Sequence, residues 1–153
     1  MATLIRAATP ADEPAWRDLW AQYLAFYAVT LPDIVTRRTW FRAMDPLSPL
    51  NARLAVQGDR VLGFALSHWH LSTWAEGADG YLEDLYVTGA ARGLGLGRAL
   101  IDDLIEFAKT QGWSRLYWHT DEDNTRARAL YDSYAPNDGH IRYRINLRGH
   151  EDA

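Results

Sequence analysis

The segment Tyr81 to Phe107 constrains the fold more than any other. A β-favouring run, Tyr81-Leu82-Glu83-Asp84-Leu85-Tyr86-Val87-Thr88, leads into Arg92-Gly93-Leu94-Gly95-Leu96-Gly97-Arg98. From Leu100 through Leu104, Ile105 and Phe107 the apolar period changes from two to 3.6. This is a strand, a glycine-rich turn and a helix ending near Gly112. A dinucleotide G-x-G-x-x-G fails, because the sixth position counted from Gly93 is Arg98. A phosphate-loop NTPase motif fails too, because no Gly-Lys-Ser/Thr follows. What remains is R-x-x-G-x-G, in which glycines let the backbone pass close to a pyrophosphate while amides at the helix start supply donors and positive dipole. A plain tight turn also uses glycine, but alternate glycines flanked by two arginines exceed what a turn requires.

The rest of the chain reads around that unit. Thr3 to Ala7 is a short strand closed by Thr9-Pro10. Asp12 stands at an N-cap position before a helix with Trp16, Leu19, Trp20, Tyr23, Leu24 and Tyr27 on one stripe. Asp33 can cap a second helix through Trp40 and Phe41, and Asp45 to Asn51 is a loop. Arg53 to Val56 and Val61 to His70 form a hairpin across Gln57-Gly58-Asp59-Arg60. Arg115 to Thr120 is a strand, Asn124 to Tyr134 a helix, and His140 to Leu147 alternates as a final strand. The order β-α-α-β-β-β-α-β-α-β describes one α/β (α+β) domain over 1–153. Its sheet is mixed, mostly antiparallel and twisted, with a parallel central strand pair and flanking helices. Strands 81–88 and 115–120 are the parallel pair because a helix crosses between them.

Composition narrows the chemistry. Sixteen basic against twenty acidic residues leave a net charge of −4, which repels phosphate backbones, so no nucleic-acid partner is expected. The absence of Cys removes disulfides, thiolate metal sites and a cysteine nucleophile. His68 and His70 share a strand face without a third ligand, so no metal is expected. Seven Trp, eight Tyr and four Phe exceed what a small core needs, and some of those rings should line a pocket. No signal peptide and no membrane-spanning run is evident, so the expected location is cytoplasmic and no membrane partner is expected.

Tyr81-Leu82-Glu83-Asp84-Leu85-Tyr86-Val87 followed by the Arg92–Gly97 loop resembles the GCN5-related N-acetyltransferase superfamily. A second block, Tyr117-Trp118-His119-Thr120-Asp121-Glu122-Asp123-Asn124 with Ala127, Leu130 and Tyr131, fits the same family. Within it the chain is similar to diamine/polyamine acetyltransferases and yeast histone/polyamine acetyltransferases. The resemblance implies acetyl-CoA as co-substrate. Its pantetheine arm would lie along Leu85, Tyr86 and Val87 like an added strand, and its pyrophosphate on Arg92, Gly93, Leu94, Gly95, Leu96, Gly97 and Arg98. Asn124 and Ala127 would present their helix face to the cofactor. It also implies direct attack by a primary amine (a polyamine, diamine or lysine-like small molecule). A protein-lysine acetyltransferase and a non-catalytic acyl-CoA sensor are the alternatives, and a homodimer is expected.

An alkylamine is almost wholly ammonium at neutral pH, so a base must accept its proton. Glu83 fills that role by the resemblance, with Asp84 as rival. In a regular strand only one of the two faces the cleft unless a bulge intervenes. The other would orient substrate or make a structural hydrogen bond. Tyr131, two helical turns after Asn124, is the expected acid for the CoA thiolate. A phenol protonating a thiolate runs uphill by roughly 2 kcal/mol, so Tyr131 must be acidified locally or mainly donate a hydrogen bond. Tyr27 at the end of the first helix, with Asp84, Trp118 and His119, is expected at the acceptor, where rings suit an aliphatic cation.

Overall fold

A computed structural model describes residues 2–148. The chain forms two compact units, Met1–Trp118 and His119–Ala153. In the first, the elements are β1 (Leu4–Ala7), α1 (Glu13–Phe26), α2 (Asp33–Met44), β2 (Leu50–Gln57), β3 (Arg60–His70), β4 (Asp79–Val87), α3 (Leu96–Gln111) and β5 (Arg115–Tyr117). The five strands lie in sequence order in one sheet. β1 to β4 pair antiparallel and β5 joins β4 in parallel.

Alternation on β2 and β3 separates two apolar faces. Ala52, Leu54, Val56, Phe64 and Leu66 pack with Trp16, Leu19 and Trp20 of α1 and Trp40 of α2. Trp16 is fully buried, with Trp20 and Trp40 stacked at 5.2 and 5.0 Å and Phe64 edge-on at 6.2 Å. The helix stripe read from sequence is therefore a core stripe. On the other face α3 buries Leu96, Leu100, Ile101, Leu104 and Ala108, one side of a 3.6-residue period. Arg53 on β2 holds Asp103 of α3 through two hydrogen bonds of 2.8 and 2.7 Å, a paired geometry that fixes orientation as well as charge.

Several local expectations change. Asp12 is the N-cap residue of α1, as expected, but its side chain makes no cap bond to the helix. It also ends a 3-10 turn, where its carboxylate takes both Arg6 nitrogens at 2.8 Å and the Thr9 amide at 2.7 Å. That guanidinium holds its pKa well below the usual carboxylate range. Asp33 likewise pairs with Arg17 and Arg37 rather than capping α2. β4 starts two residues earlier than expected, at Asp79, with Gly80 under the Trp113 ring.

The strand expected over 115–120 stops at Tyr117, and the one expected over 140–147 does not form. Residues 140–147 have no strand partner among the described residues, and Ile141, Tyr143, Ile145 and Leu147 are exposed. Alternation makes such a segment able to pair, but a strand exists only with a neighbour to satisfy its ladder. The parallel pair β4/β5 consequently closes one side of the sheet among the described residues instead of lying at its centre. Among the described residues, the second unit holds one helix, α4 (Thr125–Asp132).

Candidate active site

The register of β3 against β4 slips between Leu66 and Ser67. Leu66 faces Asp84 while Ser67 faces Leu82, leaving Glu83 as the extra residue of a bulge. Tyr81 and Glu83 share a face by alternation, as do Asp84 and Tyr86, and the bulge brings the two sets to the same side. Both carboxylates therefore face the α1 side, where a regular strand would show only one.

Their environments differ. The Glu83 side chain is half-exposed, with Oε2 at 3.5 Å from His68 Nε2. Asp84 is half-buried next to it and accepts a 2.7 Å hydrogen bond from the Tyr23 hydroxyl. Burial pushes the Asp84 carboxyl up to about 7, with the Glu83 charge adding and the Tyr23 bond opposing. Tyr23 is raised by the same burial and by Asp84. Its ring sits among Trp20, Tyr27, Phe64 and Tyr86, at 5.1 to 5.9 Å. Of the two roles open to the second carboxylate, the structure shows the hydrogen-bonding one for Asp84.

Further along the same face, β3 and β5 add rings. His68 meets Tyr81 edge-on at 5.5 Å, and Tyr81 meets Tyr117 at 5.0 Å. His70 Nδ1 lies 2.8 Å from the Leu71 carbonyl, which can only accept, so in the neutral ring Nε2 is the acceptor 2.8 Å from the Tyr117 hydroxyl. Burial raises the Tyr117 phenol above its ordinary value, and the Asp79 charge adds to this. Tyr27 follows α1, 39% exposed, against Phe26 and Tyr23. Trp118 is half-buried just beyond β5. His68 carries no motif, and Tyr81 and Tyr117 open the two blocks of the resemblance without a site role given to them there. The spacing of Phe64, Leu66, His68 and His70 marks one face, but only the register says which groups of β4 stand opposite.

β4 also carries the glycine loop. Its pairing with β5 runs from Asp79/Arg115 to Tyr81/Tyr117 and stops, so from Leu82 to Val87 that edge has no strand partner among the described residues. Leu85, Tyr86 and Val87 lie on this stretch, where an extended ligand can add itself through main-chain groups. The chain then turns through a 3-10 segment (Gly89–Ala91) into the loop. Gly93 and Gly95 take positive φ of 83° and 77°, and a Cβ on either would point into open space. Gly95 is the N-cap of α3 and offers no capping side chain. Such a cradle suits a pyrophosphate held by amides at a sixteen-residue helix's start. Leu94 is exposed, and the Leu96 side chain is buried against Leu62 and Ala91, so Leu96 contributes backbone only. Arg98 and Gly97 lie in the first turn. The Arg92 guanidinium sits over the Phe26 and Tyr86 rings at 5.4 and 5.9 Å, tying the loop to the end of α1.

In the second unit Asn124 caps α4, its Oδ1 accepting from the Ala127 amide at 3.2 Å. Asn124, Ala127 and Tyr131 lie along one half-buried helix face, and His119 is exposed.

Residues 12–134 match the acetyltransferase (GNAT) family. The D-amino-acid N-acetyltransferase HPA3 of Saccharomyces cerevisiae is 37% identical over 94% of this chain and 90% of its own length. The thialysine N-epsilon-acetyltransferase of Bos taurus is 38% identical over 54% of this chain, which spans 48% of that protein's length. Among solved structures, AAC(6')-Iy in complex with the bisubstrate analogue CoA-S-monomethyl-acetylneamine superposes with a TM-score of 0.82. At 16% identity over 97% of this chain and 99% of that one, it supports the fold. With the bulged carboxylate strand, the glycine cradle and these matches together, the chain belongs to the acetyltransferase (GNAT) family.

Proposed function

We propose that this chain transfers the acetyl group of acetyl-CoA to a primary amine of a small molecule, a polyamine, diamine or lysine-like amine, by direct attack on the thioester. The observation that carries this reading is the bulge, which sets an exposed carboxylate, Glu83, beside the unpaired stretch of β4 that ends in the glycine cradle. Acetyl-CoA would lie along Leu85–Val87 with its pyrophosphate on the amides from Gly93 to Arg98. The thioester then comes next to Glu83.

Glu83 draws in the ammonium and takes its proton, and Tyr27, Tyr81 and Tyr117 offer ring faces to the acceptor's methylenes. Asp84, fixed by Tyr23, holds α1 against β4 and keeps the cleft's depth constant. Tyr131 supplies the hydrogen bond or proton that the departing thiolate requires. The names of the yeast and bovine relatives, both acetyltransferases of amino acids, support a small acceptor over a protein lysine. The exposed alternating side chains of 141–147 support the expectation of a homodimer, in which a second copy covers them; sedimentation equilibrium checks it.

The test is release of free CoA over a panel of polyamines, diamines, lysine, D- and L-amino acids and a lysine-containing peptide. Turnover with a small amine at least tenfold above the peptide supports the reading. Preference for the peptide favours the protein-lysine alternative, and acetyl-CoA binding without turnover on any amine favours a sensor.

A further inference from the structure

Two titratable side chains in the cleft meet on adjacent strands, His68 of β3 and Glu83 of β4, with Nε2 and Oε2 3.5 Å apart. We propose that His68 stands behind Glu83 as the acceptor of the proton that Glu83 removes from the substrate ammonium. The proposal rests on the acetyl-transfer function above and assigns a positioning and proton-holding role to a residue outside the glycine loop and its carboxylates.

The contact gives the first reason. Nε2 is the ring nitrogen of His68 that faces Glu83, 3.5 Å from Oε2. In the neutral tautomer that carries its hydrogen on Nδ1, Nε2 presents a lone pair to the carboxyl. A lone pair gains nothing from a carboxylate but accepts from a carboxylic acid. A small rotation of the half-exposed Glu83 side chain brings the 3.5 Å contact to hydrogen-bond length once a proton sits on it.

Proton affinities give the second. An alkylammonium near 10.4 that leaves its proton on a carboxylate near 4.3 loses about six units of affinity, and passing it to an imidazole near 6.5 recovers about two, a hundredfold in population. Of the groups facing His68, Glu83 and then Asp84 on β4 raise it, against the burial that lowers it; Tyr81 packs its ring edge-on, β2 places uncharged Leu50 opposite, and the next residue on its own face, His70, is engaged by Tyr117. On α1 the nearby phenol, Tyr23, is bonded to Asp84.

The step balances. The first N–H bond of the ammonium breaks to Glu83 Oε2, and the proton passes to His68 Nε2 while the neutral nitrogen attacks the thioester carbon. The second proton, lost from nitrogen as the C–S bond breaks, ends on the CoA thiolate. Protonated His68, a third exposed, returns its proton to water. One proton is released per acetyl group, as conversion of an ammonium and a thioester to an amide and a thiol requires.

The experiment compares kcat/KM from pH 5 to 9 for the wild type, His68→Gln, Glu83→Gln and the double variant, with an NMR titration of the His68 ring in the wild type and Glu83→Gln. Expected are an acidic limb in the wild type that follows the NMR titration of His68, and loss of that limb with about a tenfold lower plateau in His68→Gln. Acetyl-CoA affinity should stay within twofold, and adding His68→Gln to Glu83→Gln should cause no further loss. The His68 titration should move at least half a unit down in Glu83→Gln. Superimposable pH profiles for wild type and His68→Gln, an equal effect of His68→Gln in both backgrounds, or an unmoved NMR titration overturns the proposal. A wild type that acetylates no amine overturns the proposed function instead, an outcome the NMR titration does not depend on.

Discussion

The Tyr23 hydroxyl donates a 2.7 Å hydrogen bond to Oδ1 of Asp84, joining α1 to the bulged strand β4 across 61 positions of sequence. A second polar tie joins α1 to that strand: Gln22 accepts from the Tyr86 hydroxyl at 3.2 Å. Because Asp84 is half-buried next to exposed Glu83, the bond sets where one wall of the cleft stands.

Stability should depend on pH through Asp84. Its folded pKa, about 7, lies above the unfolded value of 3.8, so the folded state keeps a proton that the unfolded chain has released between those values. The sign is a loss of stability as pH rises from about 4 to about 7, at most on the order of 4 kcal/mol. Asp12, depressed by Arg6, acts in the opposite sense, its contribution fading as pH falls below about 4. In Asp84→Asn the contribution of Asp84 vanishes while that of Asp12 stays. Thermal melts from pH 4 to 8 should show the variant gaining on the wild type with rising pH; parallel curves would refute the assignment.

Gly95 holds φ 77° at the N-cap of α3, with open space where a Cβ would stand. Gly95→Ala should cost about 1 kcal/mol in left-handed backbone strain and weaken acetyl-CoA binding at least tenfold by calorimetry. Leu94→Ala is the control. Its side chain is exposed and recognition runs through the backbone, so affinity should stay within twofold.

A Cβ on Gly80 would overlap the Trp113 ring. That ring packs edge-on to Phe107 of α3 at 5.5 Å, a contact it would have to give up to make way. Gly80→Ala should therefore destabilise by about 1–3 kcal/mol in urea denaturation, as overpacking does. A Trp113→Leu background, which makes room, should recover most of the loss.

Tyr131→Phe removes a hydroxyl from the half-buried face of α4 that Asn124 caps. If it serves the departing thiolate, kcat falls at least tenfold with little change in acetyl-CoA affinity. An unchanged kcat would remove Tyr131 from the reaction.

Local features of this chain were legible because they are properties of neighbouring residues. The change of period after Gly97 places α3, a glycine at each positive φ of the loop marks the cradle, and the spacing of Trp16, Leu19 and Trp20 marks the buried face of α1. Misreadings arose where a side chain had a choice of partner. Asp12 stands at the N-cap of α1 with its carboxylate turned to Arg6, while Asp33 is the first residue of α2, after the N-cap Pro32, and pairs with Arg17 and Arg37.

Sequence alone determined that a strand with two adjacent carboxylates runs into a glycine turn and a helix, since period and glycine placement are set within a few residues of chain. It could not determine that Glu83 and Asp84 share a face, that Asp84 is the more buried one, or that His68 stands at Glu83. Each follows from a one-residue slip between β3 and β4, and register belongs to a pair of strands rather than to either. The segment 140–147 shows the same limit from the other side. Its alternation gives it one apolar face, but pairing needs a neighbour's free backbone groups, and only the tertiary structure says whether they are there.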